Sequence, residues 1–283
     1  MYQTRLCLGV STSFELGTKE QIALFQKVGF EAFFTEWSEA ESVKEIREYA
    51  DSIGMIYQSI HAPFKKAAKM WQNGDDAEDA VNELIRCVQD CADNGVPIMV
   101  CHAFIGFKDH TPTEEGIENF RRVVLAAREK GVRIAFENTE GEEYLAALMR
   151  AFSECENVGF CWDTGHEMCY NQSRDMMALY GDRLLCTHIN DNLGIKDYGG
   201  NITWHDDLHL LPFDGVADWA DIAARLNRHG YDDILTFELT RKSKPNRVEN
   251  DVYAKMAIED YLAEVYKRAC RIATMKMKGK TNA

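Results

Sequence analysis

Eight times along the chain a short run rich in Val, Ile, Phe and Thr gives way to a longer, more polar stretch, several of which show helical spacing of their apolar residues. The runs are RLCLGVS (5–11), FEAFFTE (30–36), YQSIHA (57–62), IMVCHA (98–103), RIAFENT (133–139), GFCWDT (159–164), LCTHIND (185–191) and ILTFEL (234–239). They are nearly continuous in apolar residues, which marks strands covered on both faces, as in parallel sheets. The helical patterns are clearest at 76–95, 114–131 and 218–230, where Asp or Thr tends to open a segment and Gly to close it. Such residues satisfy the orphaned backbone groups at helix ends. Alternation of this kind builds parallel βαβ units. No Gly-, Pro- or Ser-rich linker divides the 283 residues and no short-period repeat is present. No G-x-G-x-x-G follows the first run, which weighs against an open doubly wound sheet. The expected fold class is α/β: a single (β/α)8 TIM barrel over residues 1–283, the barrel itself filling about 5–265. The basic residues of about 266–283, including KRACRIATMKMKGK, read as a solvated C-terminal helix end.

Polar residues fall in a pattern on this frame. His61, His102, Glu137, Asp163 and Glu238 stand at or near the ends of the third, fourth, fifth, sixth and eighth runs, and His188 lies within the seventh. In a parallel barrel all these ends open onto one face, where the loops leaving the strands build the active site. Five of the eight histidines (His61, His102, His166, His188 and His209) lie at strand ends or in the loops that follow. Any one of them alone is explained as a hydrogen-bonded or ion-paired residue. Two Glu, one Asp and several His crowding one mouth are different, because buried carboxylates are costly without positive charge. A divalent cation supplies that charge, and imidazole with carboxylate suits manganese, zinc, cobalt, iron or magnesium.

Charge and cysteine usage narrow the partners. With 32 basic and 46 acidic residues the net charge is −14, a field that opposes phosphate backbones and anionic lipid surfaces. A small-molecule substrate is expected, not nucleic acid or membrane. No apolar run reaches 18 residues, and the N-terminus lacks the architecture of a signal peptide. Of nine cysteines, Cys101, Cys161 and Cys186 sit inside apolar runs and no paired CxxC is present. They read as small buried hydrophobes in a reducing, cytoplasmic setting. Lys65, Lys66 and Lys69 after the third run have two readings: a solvated helix face, or contacts to a phosphate or carboxylate on the substrate. Trp37, Phe64, Phe104 and Trp204 are either a wall of the site or plain packing.

SIHAPF (59–64), FENTE (136–140), WDTGH (162–166), THINDN (187–192), DLHLLPFDG (207–215) and FEL (237–239) together resemble the xylose isomerase-like TIM-barrel superfamily. That superfamily holds sugar and sugar-phosphate isomerases and epimerases, and endonuclease IV. The resemblance implies one divalent metal (Mn, Zn, Co or Mg) on Glu137, Asp163, His188 and Glu238, with Glu137 and Glu238 also transferring protons on opposite faces of a substrate carbon. It makes His166 a residue that orients a substrate hydroxyl; His61 and Lys65 are further candidates for substrate contact. The longer ligand set of endonuclease IV, which binds three zinc ions, would add His61, His102, His166, Asp207 and His209. Ketohexose epimerases of the group usually carry an Arg six residues beyond the metal His, where this chain has Gly194. The expected function is therefore divalent-metal-dependent isomerisation or epimerisation of a sugar, sugar phosphate or related polyol or keto acid by enediolate proton transfer. The alternative is an endonuclease IV-like metallo-phosphodiesterase. Against the alternative stand the acidic charge and the segment AFIGFKDH after His102, which has no basic and aromatic cluster for wedging into DNA. A binding protein without turnover and a homo-oligomer stay open.

Overall fold

The computed structural model describes residues 4–108, 111–196 and 199–281. Each apolar run becomes a strand: β1 (Leu6–Gly9), β2 (Ala32–Glu36), β3 (Ile56–His61), β4 (Ile98–His102), β5 (Arg133–Glu137), β6 (Val158–Asp163), β7 (Leu184–His188) and β8 (Leu235–Phe237). All ladder pairings between them are parallel, in the order β7-β6-β5-β4-β3-β2-β1-β8. The ring closes between the outermost two through a parallel bridge from Ile189 to Phe237, with Ile189 N–H donating to the Thr236 carbonyl at 2.7 Å. This is the expected (β/α)8 barrel, nearly closed.

The connections hold α1 (Thr18–Val28), α2 (Val43–Ile53), α3 (Asp75–Asp93), α4 (Glu114–Glu129), α5 (Glu142–Ala151), α6 (Thr164–Cys169), α7 (Met176–Tyr180), α8 (Trp219–Arg228), α9 (Asp251–Ala254) and α10 (Ile258–Thr281). Local chemistry starts and stops them. Ser42, Thr113 and Asp218 cap α2, α4 and α8 by accepting from backbone N–H groups one turn in, and left-handed Gly29 and Gly54 end α1 and α2. The largest core cluster includes residues of both strands and helices, and two smaller ones consist of Ile98, Val100, Ala135, Cys161 and Cys186, and of Cys7, Ala32, Phe34 and Ile234. All nine cysteines are free, and seven are buried.

Of the residues expected to form a solvated end, those up to 277 instead complete the outer layer. α10 continues to Thr281 and packs on α1 and α8 with Val265, Ala269, Ile272 and Ala273 buried. Those positions recur at helical spacing, but the basic residues between them masked the stripe. Even Lys276 is buried, its ammonium 3.3 Å from Asp232. No helix among the described residues is long and apolar enough to cross a membrane.

Candidate metal centre

The strand ends and the loops and short helix that follow them bring four carboxylates and five imidazoles together at the C-terminal mouth. Glu137, fully buried at the end of β5, is the hub. Its Oε1 lies 2.7 Å from His188 Nδ1, and its Oε2 lies 3.3 Å from His61 Nε2 and 3.2 Å from His102 Nε2. Glu238 Oε2 approaches the same His188 nitrogen from another side at 3.1 Å. Asp207 then joins His209 (2.8 Å) to His166 (3.5 Å). His166 Nδ1 faces the space between Glu137 (3.8 Å) and Asp163 (3.9 Å).

Packing explains why these residues stay in place. Asp163 caps α6: its Oδ1 accepts the His166 N–H at 2.7 Å, so an Asp three residues before a His places both on one helical turn. Its Oδ2 accepts from Asn190 Nδ2 at 2.9 Å, and its own N–H donates to Asn138 Oδ1 at 2.8 Å. Gly165 makes room for this arrangement, since a Cβ there would meet Asn190 Oδ1 at 1.9 Å. Asp191 gathers the next loop, its carboxylate accepting from Phe213 N–H, Ala217 N–H and the Trp219 indole. That loop carries Asp207 and His209, and His209 adopts a left-handed φ of 44° that an L-residue rarely takes. Beneath the cluster the Phe34 ring stacks on His188 with centroids 4.8 Å apart.

Outer residues that orient metal ligands typically matter 10–100-fold for affinity. Gly165→Ala is therefore expected to push Asn190 off Asp163 and weaken divalent-metal affinity by about that factor, read by metal titration of the purified variant. Wild-type affinity in a folded variant would show that Asn190 does not position Asp163.

Electrostatics suit a cation. Burial pushes Asp163 up to about 6, against the pull of His166 and His209. Glu238, though burial opposes it, is held down to about 2 by His188 and His209, and Glu137 lies well below the ordinary carboxylate range beside His188, His102 and His61. Burial works to lower all five imidazoles and prevails at His102, whereas the facing carboxylates raise His61, His166, His188 and, to about 9, His209. The facing carboxylates thus favour the charged form of four of the five imidazoles, with His102 the exception. Donor atoms of Glu137, Asp163, His188 and Glu238 all lie within 4.8 Å of one another. Ligands at bond lengths of about 2.0–2.3 Å are separated by at most twice that, so this group can close on one ion with little movement. His61, His102 and Glu137 form a second such group, and His166, Asp207 and His209 a third. Buried His166 Nδ1 finds no hydrogen-bond partner among the described residues, as suits a nitrogen aimed at a ligand.

All nine acid and imidazole candidates thus converge, while the other candidates scatter. Lys65 is solvent-exposed on the loop after β3 and makes none of the cluster's contacts described above. Lys66 and Lys69 face α3, pairing with Glu83 at 3.4 Å and Asp76 at 2.9 Å. Phe64 stacks on His102 (4.7 Å), but Trp37 bonds Asp90, Phe104 stacks on Tyr144, and Trp204 is half exposed. The lysine that does reach the cluster is Lys244, with Nζ 3.6 Å from Asp207 Oδ2 and 5.3 Å from the Trp204 ring centre. It lies in the polar stretch after β8, where nothing in the sequence sets it apart. Asn138 and Asn190 were visible inside FENTE and THINDN, but as motif members without a role.

Among known proteins, the chain is 38% identical over 116 residues to an uncharacterized protein, y4fM, of Sinorhizobium fredii, a match spanning 39% of this chain and only 34% of that relative. Two solved structures share the fold over nearly their whole length. One is IOLI protein with a bound zinc atom (TM-score 0.75, 18% identity, 95% of this chain and 97% of that one). The other is L-ribulose 3-epimerase (TM-score 0.74, 14% identity, 99% and 97%). A family model described as xylose isomerase-like TIM barrel matches residues 20–260, and the chain belongs to that family.

Proposed function

We propose that this chain is a divalent-metal-dependent isomerase or epimerase acting on a sugar or closely related polyol or keto acid. The observation that carries the reading is the four-ligand group of Glu137, Asp163, His188 and Glu238, open to solvent on the Glu238 side, where that side chain is 24% exposed. Fold likeness to a zinc-containing protein and to an epimerase supports it. A bound divalent cation supplies Lewis-acid polarisation of a substrate carbonyl and neutralises developing negative charge. The protein's own groups then divide the remaining work. Both oxygens of Glu137 already lie against imidazoles, whereas Glu238 has one oxygen near His188 and a face toward the opening. Glu238 is accordingly the first candidate to take a proton from the carbon beside the carbonyl, and Glu137 the second on the opposite face. His166, whose Nδ1 has no hydrogen-bond partner among the described residues, is the candidate to bind a substrate hydroxyl, whereas both ring nitrogens of His61 are engaged by the Ala62 carbonyl and Glu137, which leaves it to hold Glu137 in place. Turnover of a ketose in deuterated water tests the reading: deuterium should appear on the carbon next to the carbonyl. An unlabelled product from a substrate that turns over would rule out this proton-transfer route.

Two of the further three-residue groups, His61–His102–Glu137 and His166–Asp207–His209, favour a second reading, a metallo-phosphodiesterase with more than one ion. The net charge of −14 opposes a polyanionic substrate. Of the segment after His102, Phe104 is buried against Tyr144, and residues 109 and 110 lie outside the described residues. Affinity for an abasic duplex at physiological salt is expected to be no tighter than the non-specific range, about 10⁻⁴–10⁻⁶ M. Tight binding with strand incision would replace the isomerase reading with this one.

A further inference from the structure

Next to the metal cluster the loops after β4, β5, β6 and β7 frame a cavity of about 750 Å³. None of the nine clustered acid and imidazole side chains lines it. Tyr170 is the shared wall. Its ring lies 5.0 Å from the His166 imidazole on one side and 5.7 Å from the Phe107 ring on the other. Phe107 is 39% exposed, an aromatic face left open at the rim.

Polar groups are fixed around this platform. Glu142 accepts from the Tyr180 hydroxyl at 2.7 Å and from Arg174 at 2.9 Å, which pins the guanidinium at the cavity edge. An arginine has five N–H donors, so donors remain for a ligand. Between Tyr170 and Arg174 the backbone passes through Gln172 (φ 56°) and Ser173 (φ 53°), two successive left-handed residues that are not glycine. Backbone of that kind costs free energy and persists where surrounding structure enforces it, often at ligand clamps.

Size decides what such a cavity takes. Cavities for drug-sized ligands run from about 300 to 1,000 Å³, so one in the upper part of that range has room well beyond a single sugar ring. We propose that the substrate is a glycoside with two linked rings: one ring is presented to the metal cluster, and the second lies against Tyr170 and Phe107 with its polar edge toward Arg174. This rests on the sugar reading of the cluster. Where the ring presented to the metal is the glycosyl ring, the glycosidic bond locks its anomeric carbon, and the carbonyl that acidifies the neighbouring C–H is then a ketone on a ring carbon. A reaction that oxidises a ring hydroxyl would have to supply such a substrate.

Binding to the full-length, metal-loaded protein tests the inference without relying on turnover. Calorimetry and saturation-transfer NMR would compare phenyl β-D-glucoside and cellobiose with methyl β-D-glucoside. The two-ring probes should bind about ten-fold more tightly or better, a difference of roughly 1.4 kcal/mol, with magnetisation transfer to the second ring. Phe107→Ala and Arg174→Ala, both at the exposed rim, should each narrow the ratio between two-ring and one-ring affinities. Equal affinity for both kinds of probe, or a ratio unchanged in both variants, overturns the second-ring site and leaves the metal-cluster reading standing. Failure of every glycoside to bind also overturns the two-ring substrate, while the sugar reading stands or falls separately on hydrogen exchange with a free ketose.

Discussion

Glu238→Gln is expected to retain its metal and lose solvent-hydrogen exchange by about 10²–10⁴-fold, the usual worth of a positioned proton-transfer group. Gln keeps the length of the side chain and an oxygen ligand but removes the base. The variant is informative because Glu238 is the more open of the two glutamates, so its loss disturbs packing least. Glu137→Gln should also abolish exchange, but through a different route. Glu137 is fully buried against three imidazoles, and a neutral amide there removes the charge to which His61, His102 and His188 are all turned. Metal occupancy should therefore fall in Glu137→Gln and hold in Glu238→Gln. Wild-type exchange on an identified ketose in metal-loaded Glu238→Gln would show that this carboxylate is a ligand only, and His166 would become the next candidate base.

Removing the metal should abolish turnover and lower thermal stability together. A ligand that binds only the folded state at a thousand times its Kd adds about 4 kcal/mol, which for a chain of this size corresponds to a Tm difference of roughly 10 °C. Scanning calorimetry of the chelated protein, before and after readdition of Mn, Zn, Co or Mg, measures it. The physical cause is the crowding of Glu137, Asp163, Asp207 and Glu238 in one mouth, where an ion adds positive charge to that of Lys244 and the facing histidines. An unchanged Tm and full turnover after complete chelation would mean that the cluster works without an ion.

Strand positions and their polar ends were legible from sequence for one reason: burial on both faces makes the strands nearly uniformly apolar, so Glu137, Asp163 and His188 stand out against them. Strand ends and the loops just after them singled out eight of the nine acid and imidazole residues; Asp207, and the grouping of all nine into ligand sets, came only from the family resemblance. What the sequence hid depends on loop conformation. The route that brings Lys244 to Asp207 runs through a polar loop with no periodicity, and the left-handed turns at Gln172, Ser173 and His209 occur at residues that give no sign of them. Lys65 attracted attention because it follows a strand end, yet the chain there leads the neighbouring Lys66 and Lys69 outward to acids on α3. The buried face of α10 past residue 265 was missed, though its helical character was read, because basic residues outnumber the stripe of Ala269, Ile272 and Ala273. The supporting role of Phe34 was hidden too, since β2 reads as apolar on both faces and only the barrel's closure shows which face meets His188.

An anomalous-scattering map from crystals grown with manganese or zinc tests the central claim most directly. The expected result is a peak about 2.0–2.3 Å from donor atoms of Glu137, Asp163, His188 and Glu238, with occupancy that survives washing. A map with no peak among these four side chains, or with density only between His166, Asp207 and His209, would contradict it.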